Sequence, residues 1–266
     1  METAPSHLFE NEGYISLVHS FNNDEDTSDK DNTVKIFLGL SWSLMIFYIL
    51  FMLAASFNVY FFLIRQKRYK TLIVLLFYLL SYIVLIFRIA FFSTYILFFR
   101  GSTWPGNIIL NNGSYIIATF AKVSLGFNQV ISMLELALRL NTALKQDEEN
   151  ELQNKEKLAK KLKYLYISVG CIQVCVFGVC CYEVWATFQV SWYTENELEE
   201  FHEYAKRFAW ISGFFYTLVT ILLLVSYIIL NSVIRKCGGF PTGELLTTMR
   251  TLFAIFFLSY FIRTFY

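Results

Sequence analysis

The chain has 266 residues, of which 56% are hydrophobic, 19% aromatic and only 16% charged, against about 25% charged in an ordinary soluble domain. So large an apolar excess defines an all-α, polytopic helical membrane bundle and excludes a single water-soluble core. A net charge of +1 provides no global field for nucleic acid, and His7, His19 and His202 all lie outside the apolar stretches, which leaves no imidazole for haem or intramembrane metal chemistry.

The first 34 residues are polar and acidic, with Asp24-Glu25-Asp26 and few apolar pairs, and predict a disordered tail. They lack the basic-then-apolar order of a cleavable signal peptide, so the first span is expected to act as the signal anchor. Residues 35–266 are expected to form the bundle. A hydrocarbon core about 30 Å thick needs roughly 20 helical residues, which predicts spans near 36–64, 71–99, 115–144, 164–190, 208–234 and 247–266. The sixth is interrupted by Arg263 and has no polar flank before Tyr266, as expected of a seven-helix protein cut short.

Short connections 1–2, 3–4 and 5–6 hold thirteen Lys and Arg residues, and the opposite side holds five. The first set is therefore expected in the cytoplasm and the N-terminus outside, in a plasma membrane or endomembrane. The sequon Asn112-Gly113-Ser114 falls in the 2–3 connection on the outer side, where glycosylation of Asn112 is expected. The Arg65-Gln66-Lys67-Arg68-Tyr69-Lys70 turn is short enough to hold spans 1 and 2 as antiparallel neighbours. The 3–4 connection reads as a solvated helix with Glu151/Lys155 and Glu156/Lys160 at i,i+4 spacing, and segment 145–163 is a candidate docking surface for a cytosolic signalling protein.

Ionisable groups inside a bilayer are costly and carry the functional evidence. In span 2, Ser81, Arg88 and Tyr95 recur every seven residues on one helix face. Span 3 has one polar face with Lys122, Gly126 and Gln129 and another with Asn128, Glu135, Arg139 and Thr142, which predicts a central helix contacted on several sides. By helical rise, Arg88, Lys122, Glu183 and Arg263 all belong to the outer half, Lys122 and Glu183 each about 10 Å below the outer end of its span. Three bases against one acid predict an outward pocket for an anionic ligand. Glu135 and Arg139 are spaced for an intrahelical ion pair that would act as a switch between two states.

Five cysteines give no disulfide framework, since Cys171, Cys175, Cys180 and Cys181 share span 4. Cys237 follows Arg235 and Lys236 at the membrane edge and is a candidate for S-palmitoylation. Glu199-x-x-His202 is half of a carboxylate-bridged metal motif without its second half, and reads as a solvated acidic helix. No nucleophile–base pair, metal cluster or phosphate loop points to an enzyme, and no cofactor is implied.

Asn58, the basic turn after it and Arg139 give a chain that resembles the first six helices of a seven-helix receptor of the G-protein-coupled type, with Arg139 at the place of the arginine in its Asp-Arg-Tyr motif. Leu138 and Leu140 flank that arginine here, span 2 has no aspartate, and all three prolines lie outside the spans. Through Arg88 and Glu135 the chain is also similar to the tobamovirus-multiplication-protein-like seven-helix family. Both resemblances imply a receptor-like protein in which spans 3, 5 and 6 communicate from an outer pocket to the cytoplasmic loops. A transporter or channel for a small anionic solute, and an adaptor that recruits cytosolic proteins, are the alternatives.

Overall fold

The computed structural model describes residues 27–61, 72–99, 105–144, 151–190, 198–236 and 242–265. Within them are six helices and no strand: α1 (Thr27–Asn58), α2 (Leu72–Phe99), α3 (Pro105–Ala143), α4 (Glu151–Val190), α5 (Leu198–Lys236) and α6 (Thr242–Phe265). Continuous apolar sequence without internal proline lets each helix satisfy its own backbone, the requirement for crossing hydrocarbon. Five are long and apolar enough to cross a membrane: Val34–Phe61, Val74–Leu97, Leu110–Ala143, Gln153–Thr187 and Lys206–Lys236. The protein is thus a multi-pass helical membrane protein. Among the described residues the sixth helix carries a shorter apolar stretch, Phe253–Arg263.

Two further boundaries differ from expectation. α1 begins at Thr27, so 27–34 is helical rather than part of a disordered tail. α3 begins at Pro105, ten residues ahead of the expected 115, because the helix is held there by α2: the Asn111 side-chain amide donates to Phe91 O at 3.0 Å and Thr94 Oγ1 at 2.9 Å.

α3 is the axis of the bundle and packs on α2, α4 and α5, while α1 lies against α2, α6 against α5, and α4 barely meets α5 directly. Its apolar window is 72% buried, against 6% for α1 and α2, as the two polar faces of its sequence require. The core runs along it through Ile116, Phe120, Val123, Phe127, Val130 and Ile131, meeting Phe208, Val219 and Leu223 of α5. Gly126 marks the closest approach. A Cβ there would collide with Val219 and come within 2.9 Å of the Tyr260 ring, so glycine is what allows α5 and α6 to close on α3.

α4 shows the bilayer register. Its exposed apolar surface begins at Tyr164, includes Tyr166, Val174, Phe177 and Tyr182, and reaches Trp185. The 21 helical steps from Tyr164 to Trp185 span about 32 Å, one hydrocarbon thickness with an aromatic residue pair at each boundary. Trp210, 81% exposed on α5, marks the same boundary as Trp185, at the end of the bundle that carries the α2–α3 and α4–α5 connections.

Candidate functional site

Three of the four bases and acids expected in one pocket do converge. Arg88 of α2 is 5% exposed, with its guanidinium carbon 5.1 Å from the Tyr115 ring centre and 6.0 Å from that of Phe91. Lys122 of α3 donates to Ser259 Oγ of α6 at 3.0 Å and lies over the Tyr260 ring at 5.5 Å. Tyr260 fixes the same turn of α3 by donating to the Lys122 carbonyl at 2.6 Å. Arg88 and Arg263 are close enough to Lys122 for both charges to act on it, and the same two charges act on Tyr216 of α5. Three helices, α2, α3 and α6, thus present three positive groups to one volume, and α5 adds the Tyr216 hydroxyl.

The depth follows from the packing. Tyr115 meets Phe208 at 5.9 Å, beside the Trp210 boundary, and Lys122 stands seven residues further along α3, about 10 Å into the hydrocarbon. No carboxylate lies on the membrane segments of α2, α5 or α6; α3 carries Glu135, and α4 carries Glu183 and, near its start, Glu156. Arg88 Nη2 has no hydrogen-bond partner among the described residues, and the Thr119 and Tyr216 hydroxyls lie within hydrogen-bonding reach of each other, which leaves one of their two hydrogens free. Burying an unmade hydrogen bond in apolar surroundings is costly, so these groups are donors suited to an anion at this place.

Glu183, expected in the pocket, belongs to another cluster. It is fully buried on α4 and pairs across to Arg207 of α5, Nε to Oε1 at 3.7 Å. Arg207 is itself held between the rings of Tyr182 and Tyr204, at 5.4 and 5.3 Å. Tyr204 donates to the Glu183 carbonyl at 3.1 Å and shares a hydrogen bond of 2.8 Å with Thr187. Burial pushes the Tyr204 hydroxyl above its usual range, so it stays protonated and keeps donating. The cluster lies at the membrane boundary and clamps the two helices where they turn.

Glu135 and Arg139 form the expected pair within α3, with Arg139 Nε and Nη2 at 2.8 and 2.7 Å from Glu135 Oε1. The Tyr166 hydroxyl of α4 reaches both partners. Arg139 is 55% exposed and Glu135 13%, as for a pair at the headgroup boundary. Asn112 is not in a connection. It stands in the helix about one turn before Tyr115, and the sequon's Ser114 is 1% exposed, so the sequon is built into the bundle instead of being offered on a turn. Cys237 and residues 145–150 of the 145–163 segment lie outside the described residues. Among the described residues no group of three or more His, Cys, Asp or Glu is placed to hold a metal.

Sequence reasoning missed Thr119, Tyr216, Ser259 and Tyr260, which line the basic site with hydroxyls. The signal was the spacing of Tyr115, Thr119, Lys122 and Gly126, which share one face of α3 at steps of three and four. It also missed Arg207, which stands one residue ahead of the expected fifth span, 208–234. Glu183 and Arg207 lie at comparable distances before and after the α4–α5 turn, so an antiparallel helical hairpin brings them together.

Compared with known protein families, curated proteins and solved structures, the chain matches none.

Proposed function

We propose that this membrane protein is receptor-like and senses an anionic ligand at Arg88, Lys122 and Arg263, with the N-terminus outside and the site therefore open toward the outer leaflet. The observation that carries the reading is the convergence of three cations about 10 Å inside the hydrocarbon with no carboxylate on the membrane segments of α2, α5 or α6. A structural role for Arg88 and Lys122 would put an acid beside them, as Glu183 is beside Arg207. Tyr216 and Thr119 add a neutral donor that orients an oxyanion, and Tyr115 and Tyr260 hold the two bases by their rings.

Immediately beyond the site, Gly126, Val219 and Tyr260 close α3, α5 and α6 on one another, and Phe127, Val130 and Leu223 continue the seal. That packing favours a one-sided site over a conduit. Ligand charge would draw α2 and α6 toward α3, and α3 would carry the change to the Glu135–Arg139 pair and its Tyr166 contact. Coupling of this kind requires differential ligand affinity for two packings.

The test is calorimetric titration of the purified chain in lipid nanodiscs with inorganic phosphate, acetate and oleate as separate probes. The reading expects saturable binding of at least one, weakened at least tenfold in Arg88→Met and in Lys122→Met at unchanged yield. No binding of any probe, or loss of folded protein in both variants, refutes it. Anion efflux from proteoliposomes that exceeds that of empty vesicles would move the assignment to the transporter reading.

A further inference from the structure

The chain carries a second charged feature with no part in the basic site. α4 continues past the hydrocarbon boundary at Tyr164 toward its start at Glu151, and Lys157, Lys160, Lys161 and Lys163 occupy the two turns just before that boundary, all exposed. Leu158, Leu162 and Leu165 point the other way: Leu162 is buried at 9%, and Leu165 packs against the core. At 100° per residue Lys160 and Lys163 lie opposite the leucines and Lys157 and Lys161 lie to one side of them, so the bundle fixes which way the charge faces. The band is about 9 Å tall along the helix and begins where the exposed Tyr164 ring ends the apolar surface, which is the thickness and place of a headgroup layer.

Internal acids do not cancel it. Glu156 pairs with Lys160 at 2.7 Å, both side chains well exposed, and it is the only acid between Gln153 and Lys163. Glu135, the acid nearest on α3, is occupied by Arg139. Arg235 and Lys236, exposed at the end of α5, add two charges at the same membrane face.

We infer that this lysine band is a binding surface for anionic phospholipid headgroups, so that one leaflet's charged lipids hold α4 and, through Leu162 and Leu165, its packing on the core. The match of band height and position to the headgroup layer favours lipid over a protein partner, which would need a surface clear of the membrane. Flexible lysines are point charges that meet phosphate without fixed geometry, so net headgroup charge is the recognised property.

The experiment is native mass spectrometry of the full chain in detergent, titrated with phosphatidylglycerol and with phosphatidylcholine. A variant with Lys157, Lys160, Lys161 and Lys163 all changed to Gln is compared with one in which all four are Arg, and with Lys206→Gln at the opposite face. Circular dichroism checks that each is helical. Removing a lysine near an anionic surface weakens attachment about five-fold at most, so the four-Gln variant is expected to lose at least tenfold in phosphatidylglycerol affinity. The four-Arg and Lys206→Gln variants are expected to keep it, and phosphatidylcholine binding is expected to stay weak throughout. Equal loss in Lys206→Gln, or unchanged affinity in the four-Gln variant, overturns the inference. So does binding of soluble inositol trisphosphate to the band as tight as that of phosphatidylglycerol, which would make it a site for free phosphates. Preferential capture of a cytosolic protein by the band in lipid-free detergent would likewise overturn it.

Discussion

Replacing Arg88 with methionine separates a ligand site from a structural charge, because the two readings predict opposite effects on stability. If Arg88 were one partner of a buried ion pair, its removal would strand the other charge and cost about 3–5 kcal/mol. Among the described residues it has no such partner: Nη2 is unpaired, the adjacent groups are the Phe91 and Tyr115 rings, and the nearby charges, Lys122 and Arg263, are of the same sign. Methionine keeps the unbranched shape, forfeits cation–π contact of about 1–2 kcal/mol, and removes both a desolvated charge and its repulsion, a relief of similar size. The two effects offset, so Arg88→Met is expected to match the unchanged chain within about 1 kcal/mol in unliganded denaturation. An anion probe at a hundred times its Kd stabilises the unchanged chain by about 2.7 kcal/mol, and this increment is expected to vanish in the variant. Paired unfolding curves in nanodiscs, with and without the probe, measure both quantities. A loss of 3 kcal/mol or more without ligand would refute the argument and make Arg88 a structural residue.

The other sites give predictions of different sign. Gly126→Ala forces a Cβ into Val219 and the Tyr260 ring and is expected to cost about 1–3 kcal/mol; Val219→Ala in the same chain is expected to recover part of it, read by thermal unfolding. Glu183→Gln removes the charge beside Arg207, a pair half open to solvent, and is expected to cost about 1–2 kcal/mol while leaving anion affinity at the basic site unchanged in calorimetry. Glu135→Gln breaks an exposed pair and is expected to change stability by less than about 1 kcal/mol; if the pair is a switch, it changes anion affinity at the distant site severalfold, which titration reads directly.

What the sequence made legible follows the length scale of each signal. Runs of apolar residues extend over twenty positions, so five membrane helices and the centrality of α3 were readable from hydropathy and from its two polar faces. The Glu135–Arg139 pair was readable because i,i+4 neighbours on one helix need no tertiary information. Arg88, Lys122 and Arg263 were assigned to one half by helical rise alone, and the fold brings them together. Rise gives depth but not azimuth, however, so it also placed Glu183 with them, although Glu183 faces the α4–α5 turn and Arg207. The start of α3 was misplaced for a related reason. Gly106, Asn111, Asn112 and Gly113 have the composition of a loop, but Asn111 finds a carbonyl and a hydroxyl on α2, and those tertiary bonds outweigh local propensity.

Depth also ranks the polar groups by what they are for. Glu183–Arg207 lies at the Trp185 and Trp210 boundary, and Glu135–Arg139 with Tyr166 at the opposite one. In both, the arginine reaches solvent and the ion pair offsets part of the cost of the less exposed acid, so structural pairing accounts for the charges. Arg88 and Lys122 have no such outlet. Arg88 is 5% exposed, and Lys122 is tied to Ser259 and capped by the Tyr260 ring, so neither extends to the headgroups. Two cations held at that depth, near a third and without an internal acid, lower the stability of the empty bundle. An anion that binds there would relieve that repulsion, so its affinity would draw on strain already present in the unliganded fold.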